Sequence, residues 1–198
     1  MIGIINYGCG NFGSIQNMLA YIGYDSEVVN SPEEIENFEI IFLPGVGSFD
    51  TAMSSLIENG WSTYINKYVL TGKTLIGICL GMQLLATSSE EGSLSGLNLI
   101  PGKVVKFDSS QVVPHMGWSE VDFINPDFIS DLCKFYFVHS YYYIPDNNDH
   151  IFGTTVYGFS FASSVRNNNV YGFQFHPEKS HIFGMKLLKK LLQEINYV

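Results

Sequence analysis

Short apolar runs alternate with amphipathic stretches along the first half of the chain. Apolar runs bounded by turn residues predict buried strands at Met1–Asn6, Ser26–Asn30, Glu39–Leu43 and Thr74–Ile78. The intervening and following stretches predict helices over Ser14–Ile22, from Ser31-Pro32 onward, and over Phe49–Glu58, Trp61–Leu70 and Leu80–Ala86. Because buried strands alternate with helices, we predict a mostly parallel sheet with helices on both faces.

The pattern changes after Glu90-Glu91-Gly92, where short aromatic runs are separated by Asn- and Asp-rich turns. These runs predict strands at Lys103–Phe107, Phe135–Val138, Tyr141–Ile144, Ile151–Val156, Phe159–Val165 and Val170–Phe175, followed by a helix from about Ile182 to Ile195. The sequence thus predicts an α/β fold with a mixed or antiparallel extension in its C-terminal half. A length of 198 residues makes one domain, spanning 1–198, the default expectation.

The charge and cysteine content narrow the functional classes. A formal net charge of −9 argues against a protein that binds nucleic acid or a membrane surface. The chain has an odd number of cysteines, Cys9, Cys79 and Cys133, and their spacing is not that of metal ligands. No signal peptide and no apolar run of about 18 residues is evident, so we expect a reduced, cytoplasmic compartment.

Cys79 stands where the apolar run Thr74–Ile78 meets the helix predicted to follow it. Gly77 and Gly81 flank it in a Gly-x-Cys-x-Gly frame, the thiol form of a strand–turn–helix nucleophile elbow. Glycines allow the close backbone approach of such a turn, and the helix N-terminus favours a thiolate. A buried structural cysteine is the alternative, because reactive cysteines are a minority.

Pro44-Gly45-Val46-Gly47 follows another predicted strand. Its two glycines let the backbone turn N–H groups toward one point, as an oxyanion hole requires. An ordinary strand-end turn is the alternative. Since active sites of parallel sheets lie at the carboxyl ends of strands, this turn and Cys79 can share one cleft.

The first turn, Tyr7-Gly8-Cys9-Gly10-Asn11, could be misread as a phosphate-binding loop. A third glycine at the spacing of a dinucleotide motif is absent. We therefore expect a structural turn or a loop presented to a partner, with Cys9 as a small packing residue.

His176-Pro177-Glu178 follows the predicted strand Tyr171–Phe175. On an extended backbone, residues two apart share a face, so the histidine and the carboxylate would lie together. With Cys79 they would supply a nucleophile, a base and a group that orients the base. Taken alone, a His-x-Glu pair is more often an incidental surface or core pair.

The order PGVG, GICLG and FQFHPEKS resembles that of the class I (triad-type) glutamine amidotransferases. Three further segments resemble segments of the glutaminase subunits of imidazole glycerol phosphate synthase: Asn6–Asn11, Pro114–Trp118 and Tyr136–Tyr141. The resemblance to these subunits extends over essentially the whole chain. The resemblance implies a flavodoxin-like sheet and hydrolysis of glutamine through a thioester on Cys79. It implies no cofactor and no metal.

The resemblance also implies roles for individual positions. The catalytic residues would be Cys79, His176 and Glu178, and the oxyanion hole would be formed at Val46, Gly47 and Leu80. The glutamine-binding positions would be Gly45, Gln83, Glu91 (or its neighbour Glu90), His139, Ser140 and Tyr141. The partner interface and tunnel entrance would include Asn11, His115, Gly117, Trp118, Tyr136 and Lys179. Core packing remains the alternative for Trp118, Tyr136 and the His139 side chain.

The implied partner is a separate (β/α)8 cyclase subunit, joined as a heterodimer, which receives ammonia for histidine biosynthesis. The glutaminase would be weak alone and switched on by ligand in the partner, for instance by reorientation of Pro44–Gly47. Three alternatives stay open. They are a paralogue feeding another synthase such as one that amidates a surface sugar, a free-standing cysteine hydrolase, and an inactive binding module.

Overall fold

The computed structural model describes residues 1–129 and 133–195, and its strands form one sheet flanked by helices. The strands are β1 Ile2–Ile5, β2 Ser26–Val29, β3 Ile40–Leu43, β4 Thr74–Ile78, β5 Ser88–Ser89, β6 Gly102–Lys106, β7 His115–Phe123, β8 Cys133–His139, β9 Tyr141–Pro145, β10 Ile151–Tyr157, β11 Phe159–Asn167 and β12 Val170–Phe173. The α-helices are α1 Phe12–Tyr21, α2 Phe49–Glu58, α3 Trp61–Leu70, α4 Leu80–Gln83 and α5 His181–Glu194. Short 3₁₀ turns cover Pro32–Asn37, Asn148–His150 and Pro177–Lys179.

One half of the sheet is parallel, in the order β2-β1-β3-β4-β12. Every residue of β1, β3 and β4 is buried, as expected of strands covered on both faces. Beyond β12 the sheet continues through β11, β10, β7 and β8 with antiparallel pairing. The predicted fold class, a mostly parallel α/β sheet with a mixed extension, is confirmed.

Strand β12 returns from the C-terminal half to pair in parallel with β4. Phe173 lies opposite Ile78, and the Cys79 N–H donates to the Phe173 carbonyl at 2.7 Å. The carboxyl ends of these two neighbouring strands therefore meet at the same edge, and the segments that follow them, with Cys79 and His176, emerge side by side.

Several predicted boundaries of helices and strands were wrong, because contacts with other segments of the chain change the local structure. The helix after the elbow ends at Gln83 rather than Ala86, because the carbonyls of residues 84–86 accept hydrogen bonds from residues 97–100. The segment after Ser31 is a 3₁₀ turn, and β12 ends at Phe173 rather than Phe175. Strand β7 was not predicted, because apolar Met116 and Trp118 are exposed and polar His115 is buried, so the sequence does not show the alternation of apolar and polar residues that a strand normally shows.

Apolar side chains pack on both faces of the sheet. One cluster includes Leu43, Leu56 and Trp61, and the other includes Phe42, Phe173 and Leu188. Neighbouring residues of β3, Phe42 and Leu43, thus contribute to opposite clusters, as the alternation of strand side chains requires. Of the helices in the described ranges, none combines the length and apolar character needed to cross a membrane.

Candidate active site

Cys79 occupies the turn between β4 and α4 in a strained backbone conformation. Its φ of 54° and ψ of −112° lie outside the regions that non-glycine residues ordinarily adopt. A Cβ on Gly77 would lie 2.6 Å from the Gly81 carbonyl oxygen, and one on Gly81 would lie 1.9 Å from the Leu43 oxygen. The two glycines are therefore needed for strand, turn and helix to approach this closely.

His176 and Glu178 form a buried pair next to Cys79. The distance from His176 Nδ1 to Glu178 Oε1 is 2.7 Å, and the two side chains are only 4% and 5% exposed. Burial lowers the pKa of His176. Contacts with the Cys79 sulfur and the Glu178 carboxylate raise it by more than burial lowers it, so the pKa is about 9. The imidazole is therefore protonated at neutral pH and can hold a thiolate as an ion pair.

The local backbone of this pair differs from the prediction. His176 is extended, but Pro177–Lys179 forms a 3₁₀ turn, so the two side chains do not meet by strand alternation. The Ser180 hydroxyl donates to the His176 carbonyl at 2.6 Å and accepts from the Tyr136 N–H at 3.0 Å. A Cβ on Gly184 would lie 1.8 Å from the Pro177 oxygen. Strand β8 and helix α5 thus hold the turn that brings the carboxylate to the ring.

Cys79 and His176 open onto a cleft of about 310 Å³. Nine other predicted site residues also line it: Val46, Gly47, Leu80, Gln83, Glu91, His139, Ser140, Tyr141 and Lys179. Pro114 and Val138 line it as well and were not predicted. Glu178 lies behind His176, and Gly45 lies behind the elbow, where its Cβ would be 2.6 Å from the Gly81 nitrogen.

The turn Pro44–Gly47 is held against the elbow from the opposite side. The Tyr7 hydroxyl donates to the Pro44 carbonyl at 2.8 Å, and burial raises the pKa of Tyr7, so the donor keeps its proton. A Cβ on Gly10 would lie 2.8 Å from the Pro44 ring. The first Gly-rich turn therefore packs on this segment. Gly47 has a φ of +105°, a conformation that favours glycine.

The two adjacent glutamates point to different places. Glu91 lines the cleft and accepts from the Phe49 N–H at 2.9 Å, capping the start of α2. Glu90 instead accepts from the Lys106 N–H on β6 at 2.8 Å. The loop is fixed by Asp50, whose carboxylate accepts from the N–H groups of residues 93 and 94. These bonds hold the pKa of Asp50 below its usual range. Glu91 is thus the glutamate that faces the nucleophile.

The predicted interface residues come from several different elements. Trp118 is 46% exposed, stacks on His181 with ring centroids 5.7 Å apart and meets the Tyr136 ring edge-on at 6.2 Å. Asn11 accepts from the Ser14 N–H and caps α1. Gly117 lies on β7 with a φ of +131°.

His115 lies inside the protein rather than on its surface. It is only 2% exposed and packs face to face with Phe137 and Tyr157. Burial lowers the pKa of His115 to about 4. Its side chain is therefore not available to a partner at this surface.

Gln174 is a polar contact of Cys79 that the sequence analysis missed. It is fully buried, its Nε2 lies 3.9 Å from the Cys79 sulfur, and its Oε1 accepts from Gln83 Nε2 at 2.9 Å. The sequence feature that could have indicated this contact is the single polar side chain of Gln174 between Phe173 and Phe175, in a run that is otherwise apolar. A buried polar side chain in such a run requires partners, and here they lie in the cleft wall.

Comparison with known proteins identifies a family and individual relatives. The family model for glutamine amidotransferase class-I matches residues 3–194. The chain is 51% identical to the imidazole glycerol phosphate synthase subunit HisH 2 of Methanococcus maripaludis, over 98% of this chain and 100% of that protein. It is 44% identical to the HisH subunit of Desulfitobacterium hafniense, over 99% and 95%. PurLQS from Thermotoga maritima shares the fold, with a TM-score of 0.79 at 19% identity over 98% of both chains.

Proposed function

The chain belongs to the class-I glutamine amidotransferase family, and on that premise we propose that it is the glutaminase subunit of an imidazole glycerol phosphate synthase. It hydrolyses glutamine to glutamate and ammonia in histidine biosynthesis. One observation carries the proposal. A cysteine on a strained elbow and a buried histidine–carboxylate pair 2.7 Å apart emerge from neighbouring parallel strands onto one cleft. Relatives that share the subunit name over nearly their whole length favour this interpretation over a free-standing hydrolase or an inactive module.

The reaction would begin with attack of the Cys79 thiolate on the side-chain amide carbon of glutamine. The carbonyl oxygen becomes an oxyanion, which backbone N–H groups at Val46–Gly47 and Leu80 would stabilise. Leu80 is the first residue of α4, where N–H groups have no acceptor within the helix. His176 gives its proton to the leaving nitrogen as the C–N bond breaks, which releases ammonia and leaves a γ-glutamyl thioester.

The second half of the reaction would use the same groups in reverse. His176, now neutral, takes a proton from a water molecule that attacks the thioester carbon. Collapse of the second tetrahedral intermediate breaks the C–S bond and releases glutamate, and the thiolate is restored beside the imidazolium. Glu178 keeps Nδ1 protonated throughout and stabilises the imidazolium form.

Glutamine would be held by the cleft wall that Gln83, Glu91 and residues 139–141 supply. The carbonyl oxygens of Ser140 and Tyr141 already accept from Phe107 N–H and from Gln83. The Glu91 carboxylate, which lines the cleft, is suited to the α-ammonium group of the substrate.

The chain acts as one subunit of a complex, and we infer that its partner is a (β/α)8 cyclase that docks where the cleft opens. Trp118 and Met116, which are 46% and 61% exposed on β7, offer apolar contacts, and Lys179, which lines the cleft, offers a charge. Ammonia is largely protonated in neutral water and then a poor nucleophile, so direct transfer into the partner would protect it.

Glutamate release tests this proposal. It would be measured with the chain alone, with a candidate cyclase, and with the cyclase and its nucleotide ligand, using Cys79→Ala as the blank. We expect little release from the chain alone and a large rise with the liganded cyclase. Full activity alone would contradict the proposal in favour of a free-standing hydrolase. Absence of activity with the cyclase would contradict the assigned partner.

A further inference from the structure

Gln174 lies at the centre of a hydrogen-bonded wall behind the nucleophile. Its side chain has no exposed surface, and it touches both Gln83, at 2.9 Å, and the Cys79 sulfur, at 3.9 Å. Gln83 also reaches the Tyr141 carbonyl, at 3.2 Å. The wall therefore runs without a break from a backbone carbonyl, through two amides, to the sulfur.

The Tyr141 carbonyl determines which group donates and which accepts in each of these hydrogen bonds. A carbonyl oxygen can only accept, so Gln83 must present its NH₂ group to Tyr141. The same NH₂ group faces Gln174, which must answer with its oxygen. The remaining end of Gln174 is then its NH₂ group, and this end faces Cys79. The fold thus leaves Gln174 one orientation, in which it is a donor to the sulfur.

A second hydrogen-bonded branch begins at the same Tyr141 carbonyl. His139 Nδ1 lies 2.7 Å from the Tyr141 oxygen and must donate to it, so His139 Nε2 is an acceptor. His115 Nδ1 lies 2.9 Å from that acceptor, and His115 Nε2 lies 2.8 Å from the Ser119 hydroxyl. Burial lowers the pKa of His139 to about 3, in agreement with a neutral ring in this chain.

We propose that Gln174 is a further catalytic residue of this centre, whose side-chain N–H donates to the Cys79 sulfur and stabilises the nucleophile in its strained turn. The proposal deepens, and rests on, the glutaminase function given above. Removal of a hydrogen bond to a charged group changes the equilibrium between the charged and neutral forms by roughly 10- to 100-fold. The thiol proton still goes to His176, and Gln174 transfers no proton.

Other titratable groups near the sulfur need to stay constant in any test. His176 faces it from the turn after β12, with Glu178 behind the ring. Lys179, Glu91 and His139 line the same cleft, and the Tyr7 hydroxyl lies on the side of β1. None of these is altered by a change at Gln174.

The test compares Gln174→Met and Gln174→Glu with the unaltered chain. Methionine keeps the volume and removes the donor, whereas glutamate keeps the acceptor for Gln83 and places a negative charge by the sulfur. Thr155→Val is the matched control, because it also removes a buried hydrogen bond, from Thr155 to Ser163 at 2.8 Å, but on β10. Alkylation of Cys79 by iodoacetamide is followed against pH by peptide mass spectrometry, with Cys9 as the internal reference.

We expect Gln174→Met to move the pH profile of Cys79 alkylation upward and to slow alkylation about 10- to 100-fold at pH values below the midpoint of the unaltered chain. We expect Gln174→Glu to slow it further and Thr155→Val to leave it unchanged. Folded variants at Gln174 with the unaltered profile would overturn the proposal. This outcome is independent of turnover, so it is distinct from failure of the glutaminase assignment, which the glutamate-release assay detects.

A measurement on the unaltered chain covers the case in which the variants do not fold. The side-chain amide protons of Gln174 are observed by NMR as the pH is changed. We expect their chemical shift to follow the same midpoint as Cys79 alkylation and to become insensitive to pH over that range in Cys79→Ala. A shift that ignores the state of Cys79 would also overturn the proposal.

Discussion

His176 and His139 both line the cleft and both are buried, with exposed fractions of 3% and 6%, yet their surroundings drive their titration in opposite directions. His176 donates from Nδ1 to the Glu178 carboxylate at 2.7 Å, and contacts with Cys79 and Glu178 outweigh the effect of burial and raise its pKa to about 9. His139 donates from Nδ1 to the Tyr141 carbonyl at 2.7 Å, and burial lowers its pKa to about 3.

Burial alone therefore does not make a histidine a catalytic base. Burial disfavours the charged ring in both places, and only a negative charge close to the ring reverses that effect. A backbone carbonyl fixes the tautomer equally well but carries no net charge. The two histidines are thus alike in geometry and differ in function, with one suited to proton transfer and the other to holding the cleft wall.

The largest effect is expected from the same substitution made at a histidine of each kind. His176→Gln should lower partner-stimulated glutamate release by at least about 10⁴-fold, because it removes the group that protonates the leaving ammonia. His115→Gln, in the neutral pair, should keep turnover within about tenfold of the unaltered chain while lowering the free energy of unfolding by about 1–3 kcal/mol. Equal losses of turnover in the two variants would show that the two kinds of histidine do not differ in function.

An intermediate effect is expected at the carboxylate that distinguishes the two histidines. Glu178→Gln keeps the size of the side chain but removes its charge, so the pKa of His176 should fall and its tautomer should no longer be fixed. We expect turnover to fall about 10²–10⁴-fold. The pH profile of turnover measures this change, and a variant with the profile of the unaltered chain would show that the carboxylate does not set the state of His176.

The smallest effect is expected on the pH dependence of stability. Because the pKa of His176 is raised from 6.5 to about 9, its contribution is complete below 6.5 and is lost as the pH rises through 9. The pKa values of His115 and His139 are lowered to about 4 and 3, so their contribution is present above 6.5 and is lost as the pH falls toward those values.

Urea unfolding across this pH range separates the two contributions. Glu178→Gln should weaken the loss of stability on the alkaline side, and His115→Gln should weaken it on the acid side. If each variant altered the opposite side, the assignment of charge states to the two clusters would be wrong.

The sequence predicted those parts of the fold that depend on local pattern. The bounds of α2 and α3 and the strand Thr74–Ile78 follow from periodicity, and the elbow at Cys79 follows from the two glycines that flank it in sequence. The match of the family motifs placed His176 beside this elbow. The pairing of β12 with β4 gives the physical reason for that proximity.

What the sequence could not give depends on contacts between distant segments. The choice between Glu90 and Glu91 is made by backbone N–H groups at the start of α2 and on β6, which are distant from the loop in sequence. The burial of His115 depends on packing against Tyr157, 42 residues later in the chain, which no local pattern records. The role of Gln174 emerges only when the Tyr141 carbonyl is known to lie next to Gln83.

An NMR titration of the histidine rings distinguishes a charged His176 from neutral His115 and His139. The chain has five histidines, and single substitutions assign their signals in a sample labelled with ¹⁵N in the imidazole rings. We predict that His176 titrates near pH 9 and that His115 and His139 stay neutral down to about pH 5. A His176 signal that titrates at or below its ordinary value of 6.5 would contradict the account, because the cleft would then hold no imidazolium beside Cys79 at neutral pH.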